Sequence, residues 1–315
     1  MNKVVVSAPG KVHLLGEWSV VWGKPALITT VDLRMTATIM PSTHLRGVSS
    51  HLGGVTIQKI IEPIIKKELK LKKIPAYSLK IESAVPMGVH LGSSAAVAVT
   101  SVAALLSYLK VKWDLELINK LAYQVEKVLQ GNPSGADNST IVYGGLVWYR
   151  KENEDLKIIE QLPFTIPPKL SKNFILINTG TPKLTTKKMI AQITAVFEKK
   201  TKLMHDFLSI QEKLTRELLT AVKDADENEL IRIIRAGEKN LESISVASKL
   251  AQDIIRKIET VGGAAKICGA GAFSGPTGVL LCYHRNKKVV EKIARDYSLP
   301  FFTKKLGVEG VKRAW

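Results

Sequence analysis

The sequence is sparing in several residue types, and each scarcity excludes something. It holds two cysteines, Cys268 and Cys282, in 315 residues. Two thiols do not make a disulfide framework. Aromatic residues make up 6% of the chain, few for the stacking platforms that hold single-stranded nucleic acid. The C₂H₂ spacing and the aromatic RNA-recognition motif are also missing. No uninterrupted apolar run approaches the roughly 18 residues of a membrane span. The apolar run in MNKVVVSAPGK is too short for a signal peptide. Acidic side chains are scarce as well, 28 against 46 basic ones, for a net charge of +18. That excess favours anionic partners, phosphorylated small molecules among them. A solvated helix face explains much of it, as at Lys66-Lys67 and Lys199-Lys200. What is present is ordinary: 45% hydrophobic and 23% charged residues, the make-up of a globular protein. The expectation is a cytoplasmic enzyme or binding protein, with no membrane and no specific nucleic acid among its partners.

The patterning mixes strands and helices. Residues 3–7 and 11–15 read as short strands, and 25–30 and 33–40 as two more around the turn-prone Asp32. From 53 to 69 the period changes. Ile57, Ile60, Ile61, Ile64 and Ile65 fall on one helical stripe, which Pro63 interrupts. Residues 77–81 alternate as a strand. Residues 93–109 are small and apolar, which predicts a buried helix. Helices at 115–129 and 134–142 and a strand at 145–149 follow. The charged, then Pro-rich stretch 152–169 reads as a domain boundary, dividing 1–165 from 166–315. Beyond it come a strand at 174–178 and helices from about 185 to 260, broken near 224–228. Strands at 266–268 and 279–283 flank a Gly-rich loop. A helix at 289–296 and a strand at 307–313 complete the pattern. Without the regular alternation of a doubly wound sheet, the fold class is α+β.

Four segments carry chemistry. In PMGVHLGSSAA, residues 86–96, a strand ends, a loop follows and a small-residue helix begins. Gly88 and Gly92 let backbone approach a ligand, and the helix N-terminus suits phosphate. Ser93 and Ser94 add hydroxyls for phosphate or Mg²⁺. No GK[ST] follows, so this is not a Walker A loop. A serine-capped buried helix explains the segment equally well. The second is GNPSGADN, residues 131–138, with Glu126 on the helix before it. Two carboxylates beside a helix–turn can meet at one site. One could hold Mg²⁺ and the other orient or deprotonate a hydroxyl. A helix stop followed by an N-cap is the plainer reading. The third is Lys11, able to neutralise charge on a phosphoryl group. The fourth is residues 269–278, with four glycines, an anion loop or a long turn.

Taken in order, APGKVHLLGE, PMGVHLGSSAA, GNPSGADN and KICGAGAFSG resemble the signature blocks of one small-molecule kinase superfamily. Its members include galactokinase, homoserine kinase, mevalonate kinase and phosphomevalonate kinase. GEWSVVWGKPAL, GNPSGADNSTIVYGG and NTGTPKLT are most similar to the mevalonate kinase family. The resemblance implies two domains, a ribosomal-protein-S5-like N-terminal one and a ferredoxin-like C-terminal one, with the site between them. It implies transfer of the ATP γ-phosphate to the primary hydroxyl of mevalonate, with Mg²⁺. Asp137 would be the catalytic aspartate and Lys11 its cationic partner. Ser94 and Glu126 would hold Mg²⁺. Pro86, Gly88, Leu91, Gly92, Ser93, Ser94 and Ala95 would cradle the ATP phosphates. Glu17, Trp18, Ser134, Gly135, Cys268, Gly269 and Ala270 would face the acceptor.

The chain departs from the family pattern in four places. Trp18 stands where the family has a histidine, and Val89-His90 where it has Ala-Gly. Cys268 replaces a threonine. GAGAFSGPTG is longer and bulkier than the usual GAGGGG. An aromatic after Gly-Glu also resembles some bacterial phosphomevalonate kinases, which leaves that acceptor open. A non-catalytic ligand-binding relative and a homodimer stay open too. Trp18 is expected to pack in the core rather than to reshape the acceptor pocket.

Overall fold

The computed structural model describes residues 3–42, 57–131 and 133–314. The expected helix start at 53–56 and Asn132 lie outside the described residues. The chain opens with β1 (Val4–Leu15), a single 3₁₀ turn (Ser19–Trp22) and β2 (Ala26–Pro41). Then come α1 (Ile57–Leu69), β3 (Tyr77–Ser83), α2 (Ser93–Tyr108), α3 (Leu115–Gln130) and α4 (Ala136–Tyr143). Two strands, β4 (Leu146–Lys151) and β5 (Lys157–Gln161), finish this part. All five strands belong to one antiparallel sheet, in the order β1-β2-β4-β5 with β3 also paired to β2.

The strands expected at 3–7 and 11–15 are one strand, as are those at 25–30 and 33–40. The turn signals Pro9-Gly10 and Asp32 instead mark a bulge. Pro9 pairs with Arg34 but Gly10 with Val31, so β2 carries the extra residues. Such a bulge bends a strand without ending it. The freed Asp32 amide donates to the Lys305 carbonyl at 2.9 Å. α1 runs through Pro63 because that residue and Lys59 face solvent, where water can take the released carbonyl. α2 is buried nearly all round, and its Ala and Ser residues let it lie close on β1 and β2.

A short helix α5 (Pro168–Ser171) leads to β6 (Phe174–Asn178). The helices α6 (Thr186–Lys199), α7 (Thr201–Lys223), α8 (Glu227–Ser243) and α9 (Lys249–Thr260) follow. Then come β7 (Ala264–Ile267), β8 (Val279–Tyr283), α10 (Lys287–Asp296), β9 (Phe301–Phe302) and β10 (Lys312–Arg313). The second sheet is antiparallel, in the order β7-β8-β6-β9. β9 is two residues long, too short to leave a periodic signal. Among the described residues no helix is long and apolar enough to cross a membrane.

The final strand expected at 307–313 shrinks to β10, which returns to the first sheet beside β1. Backbone bonds and side chains together hold the segment before it: the Gly307 amide donates to the Thr30 carbonyl and the Gly145 amide to the Val308 carbonyl, each at 2.8 Å. Arg34 donates to the carbonyls of Glu309 and Gly310 at 3.0 and 2.8 Å, and the Thr30 hydroxyl to that of Val308 at 2.6 Å. At Gly310 a Cβ would run into the Val142 carbonyl and lie 2.8 Å from the Gly144 nitrogen. Gly310→Ala should therefore destabilise the fold by about 2 kcal/mol or more, the cost of overpacking against backbone that cannot yield. Denaturant midpoints check this; an unchanged midpoint would mean that the tail detaches without cost.

Candidate active site

A cavity of about 370 Å³ opens where β1, the loop before α2, the end of α3 and the start of α4 face α6 and the turn after β7. Its centre is an ion pair. Lys11 lies on β1 with its side chain 4% exposed, and its Nζ sits 3.0 Å from Asp137 Oδ1. The Lys11 amide donates to the Leu91 carbonyl at 3.0 Å, which fixes the strand to the glycine loop. Gly92 has φ +77°, and a Cβ there would meet Lys11 Cγ at 2.8 Å. Both constraints demand glycine. His13, two residues along β1 and hence on the same face, approaches Asp137 Oδ1 with its Nε2 at 3.3 Å. Burial pushes the Asp137 carboxyl up, but Lys11 and His13 outweigh it and hold it well below the usual carboxylate range. Burial, helped by Lys11, lowers His13 despite the aspartate, so its ring is neutral near pH 7.

Beside this pair stands a second group of oxygens. Ser94 Oγ donates to Glu126 Oε1 at 2.7 Å, and Gln130 Nε2 to Glu126 Oε2 at 2.7 Å. Glu126 and Gln130 lie one turn apart on α3. Burial pushes Glu126 up to about 7, against the Ser94 hydrogen bond and with repulsion from Asp137. α2 starts after Gly92 with no side-chain cap, and Ser93, Ser94 and Ala95 line the cavity. Their amides and the helix dipole form a ready anion site.

The opposite end is apolar, formed by Trp18, Val20, Val21, Leu184 and Ile190. Trp18 is 4% exposed and packs in the core of the second sheet, its ring stacked on Trp22 at 6.3 Å. It thus both packs and lines the cavity. Beneath it, the Lys266 ammonium on β7 donates to Glu17 Oε1 and, at 2.7 Å, to the Ile267 carbonyl. The Ile267 amide in turn donates to Glu238 Oε2 on α8 at 2.9 Å. Burial pushes Glu238 up to about 8, despite this hydrogen bond and Lys266.

Of the residues expected at the site, Lys11, Asp137, Ser94, Glu126, Gly88 and Gly92 line the cavity. So do Ser93, Ala95, Glu17, Trp18, Ser134, Gly135, Gly269 and Ala270. Pro86, Leu91 and Cys268 do not. Leu91 is buried and contributes its carbonyl to Lys11. Pro86 is half-buried at the start of the loop. Cys268 is fully buried, and that burial pushes its thiol up to about 12. Sequence reasoning missed His13, Gln130, Lys266 and Glu238, and noted His90 only as a departure from the family pattern. The strand period of two points from Lys11 to His13, and the helix period from Glu126 to Gln130. No local signal joins Lys266 to Glu17.

The GHMP kinases N terminal domain profile matches residues 56–145. A mevalonate kinase of Archaeoglobus fulgidus is 30% identical over 272 residues, covering 85% of this chain and 89% of that one. The crystal structure of L. major mevalonate kinase in complex with R-mevalonate superposes with a TM-score of 0.79 at 20% identity, covering 98% and 96%. Streptococcus pneumoniae phosphomevalonate kinase, in complex with phosphomevalonate and AMPPNP, gives a TM-score of 0.78 at 21% identity, covering 99% and 100%. At such identities the structural matches establish the fold: these are two-domain kinases, and this chain shares their architecture.

The ion cluster under the cavity gives a pH-dependence. Glu238 titrates higher in the folded chain, about 8, than unfolded, near 4.5. A raised acid contributes stability that is whole below the unfolded value and is lost as pH rises through the folded one. Wild-type melting temperature should therefore fall between about pH 4.5 and 8. Glu238→Gln, whose amide oxygen still accepts from Ile267, should flatten that fall and gain on wild type at pH 8 to 9. Parallel curves would remove Glu238 as the titrating group.

Proposed function

The chain belongs to the GHMP kinase family as a mevalonate kinase-like member, and from that premise we propose that it transfers the ATP γ-phosphoryl group to the primary hydroxyl of mevalonate. The observation that carries this reading is the Lys11–Asp137 pair at 3.0 Å, set in one cavity with the Ser94–Glu126 oxygen pair at 2.7 Å. Phosphoryl transfer asks a protein chiefly for positioning and charge neutralisation, and these side chains supply both.

The donor set suits Mg²⁺. Ser94 and Glu126 are hard oxygen donors, and the buried Glu126 carboxyl has no cation of its own in hydrogen-bond contact. Among the described residues no cluster of three His, Cys, Asp or Glu could enclose a metal. Two protein ligands that leave room for phosphate oxygens and water are what Mg²⁺ accepts. Held by Ser94 and Glu126, it would offset the charge on the β- and γ-phosphates.

The chain's own groups do the rest. The loop before α2 and that helix's first amides hold phosphate oxygens. Lys11 faces the charge on the transferring group. Asp137 stays ionised beside Lys11 and accepts the acceptor's hydroxyl hydrogen. Since its carboxyl is held far below 7, it is a weak base and acts mainly by orienting the hydroxyl.

The acceptor end favours mevalonate over its phosphate ester. Its walls are apolar, and among the described residues Lys187 is the one further ammonium lining the cavity beside Lys11. A single carboxylate needs less compensation than a carboxylate with a phosphate dianion. The test is coupled ADP release with mevalonate and phosphomevalonate offered separately. Mevalonate should give the higher kcat/KM; robust turnover of phosphomevalonate alone would reassign the acceptor, and turnover of neither would favour the non-catalytic relative.

Two substitutions refine this. Asp137→Asn should lower kcat about 10²-fold or more while ATP binding by titration stays near wild type. Wild-type turnover would remove Asp137 from the mechanism. Trp18→His should cost about 3 kcal/mol, since the ring is buried against Trp22 and the second core. The ranking of the two acceptors should not change. A selectivity shift at constant melting temperature would give Trp18 a direct role in acceptor choice.

A further inference from the structure

His90 is a non-glycine residue at φ +69°, inside the loop that precedes α2. A positive φ is uncommon for any residue with a side chain, although histidine adopts it more readily than most, and here the surroundings hold it. The enforcement here comes from both sides. The carbonyl of Val89 accepts from the Val279 amide of β8 at 3.1 Å. The carbonyl of Leu91 accepts from the Lys11 amide of β1 at 3.0 Å. Neighbouring residues of one loop are thus tied to the two different sheets, and His90 sits between the ties.

Its ring fills a gap that two glycines leave. A Cβ at Gly269 would lie 2.8 Å from His90 Cβ and 2.9 Å from Cγ. A Cβ at Gly278 would lie 2.6 Å from His90 Cδ2. Gly269 and Gly278 are the first and last residues of the second glycine-rich loop, and the imidazole contacts both. His90 and Gly269 also line the cavity. The ring Nε2 is buried and has no partner among the described residues, so it is not the means by which the side chain is held. Burial, with Lys11 nearby, outweighs Asp137 and a hydrogen bond with the Gly271 backbone and lowers the ring to about 4, which leaves it uncharged near neutral pH.

We propose that His90 is a positioning residue: its ring, seated against Gly269 and Gly278, sets the distance between the phosphate-binding loop and the second glycine-rich loop, and so fixes where the ATP phosphates lie. This rests on the reading that residues 88–95 hold those phosphates. The positive-φ backbone is the means of aiming the ring at the other loop. A small residue at 90 relaxes the backbone but leaves the two loops unspaced.

The experiment has a stability arm and a kinetic arm, both on the full chain. His90→Gly relieves the positive φ and loses the packed ring, so its melting temperature should stay within a few degrees of wild type. Its KM for ATP should rise roughly tenfold, with the acceptor KM unchanged. His90→Asn, which tolerates a positive φ and keeps a planar group, should recover part of that loss; it also carries the kinetic arm if the glycine variant does not fold. Gly269→Ala should destabilise the wild type strongly and the His90→Gly background much less, because the clashing ring is gone. An unmoved KM for ATP in a folded His90 variant overturns the proposal, and so does an additive Gly269→Ala effect. The two readings fail separately. If wild type shows no acceptor-dependent ADP release the kinase reading fails, while the Gly269–His90 coupling is read by melting alone.

Discussion

The structure turns on a lysine that is almost out of water. Lys11 keeps 4% of its side chain exposed, and a buried ammonium left without its partner bears the cost of its lost hydration. That cost binds three elements together. β1 must bring Lys11 inward, α4 must present Asp137 in its first turn, and the loop before α2 must have glycine at 92, where Lys11 Cγ leaves no room for a Cβ. The pair therefore belongs to the packing of the N-terminal sheet as much as to the chemistry. An ionised Asp137 satisfies the lysine, and the same lysine keeps the aspartate ionised. The side of Asp137 that opens to the cavity, 35% of its side chain, is what remains for a substrate.

Much of this was legible in the sequence because it is local or carried by motif. The helices at 93–109 and 115–129 appear within a residue of their expected ends, since small apolar runs and a 3.6 period leave little choice. The break between α7 and α8 falls where Asp224–Asn228 signals it, with Asp226 capping the new helix through the Glu229 amide at 3.0 Å. The long strands misled for one reason. Pro9-Gly10 and Asp32 are turn residues by type, yet facing each other across a ladder they make a bulge. Whether a turn signal ends a strand depends on what pairs with it, and pairing is not a local property.

The less legible parts of the site are long-range in the same way. Lys266 and Glu17 meet across nearly the whole chain, and while Glu17 is expected to face the acceptor, nothing in the sequence pairs it with Lys266. Lys266 is fully buried, and its neighbours Glu17 and Glu238 share the field of one ammonium. Cys268 shows the opposite error. It stands in a signature block beside Gly269 and Ala270, which line the cavity, but it directly follows β7 with its amide bonded to the Val279 carbonyl at 3.0 Å, and its thiol is in the core.

The cavity thus has walls of unequal origin. Lys11, Asp137, Ser94 and Glu126 come from the first sheet and its helices and are tied to one another by direct contacts. Gly269, Ala270 and the start of α6 come from the other half and reach the first group through few links. One of those links is the backbone hydrogen bond from the Val279 amide to the Val89 carbonyl in the loop that carries His90, and another is the Lys266–Glu17 ion pair below Trp18. The glycine-loop side and the Trp18 side of the cavity are therefore anchored by different chemistry, an amide-to-carbonyl bond at one and a buried charge cluster at the other. A change of pH across the Glu238 range acts on the second anchor and leaves the first intact. The Trp18 side should for that reason lose anchoring as pH rises through the Glu238 range, an effect on packing that is separate from the titration of Glu126 beside Ser94.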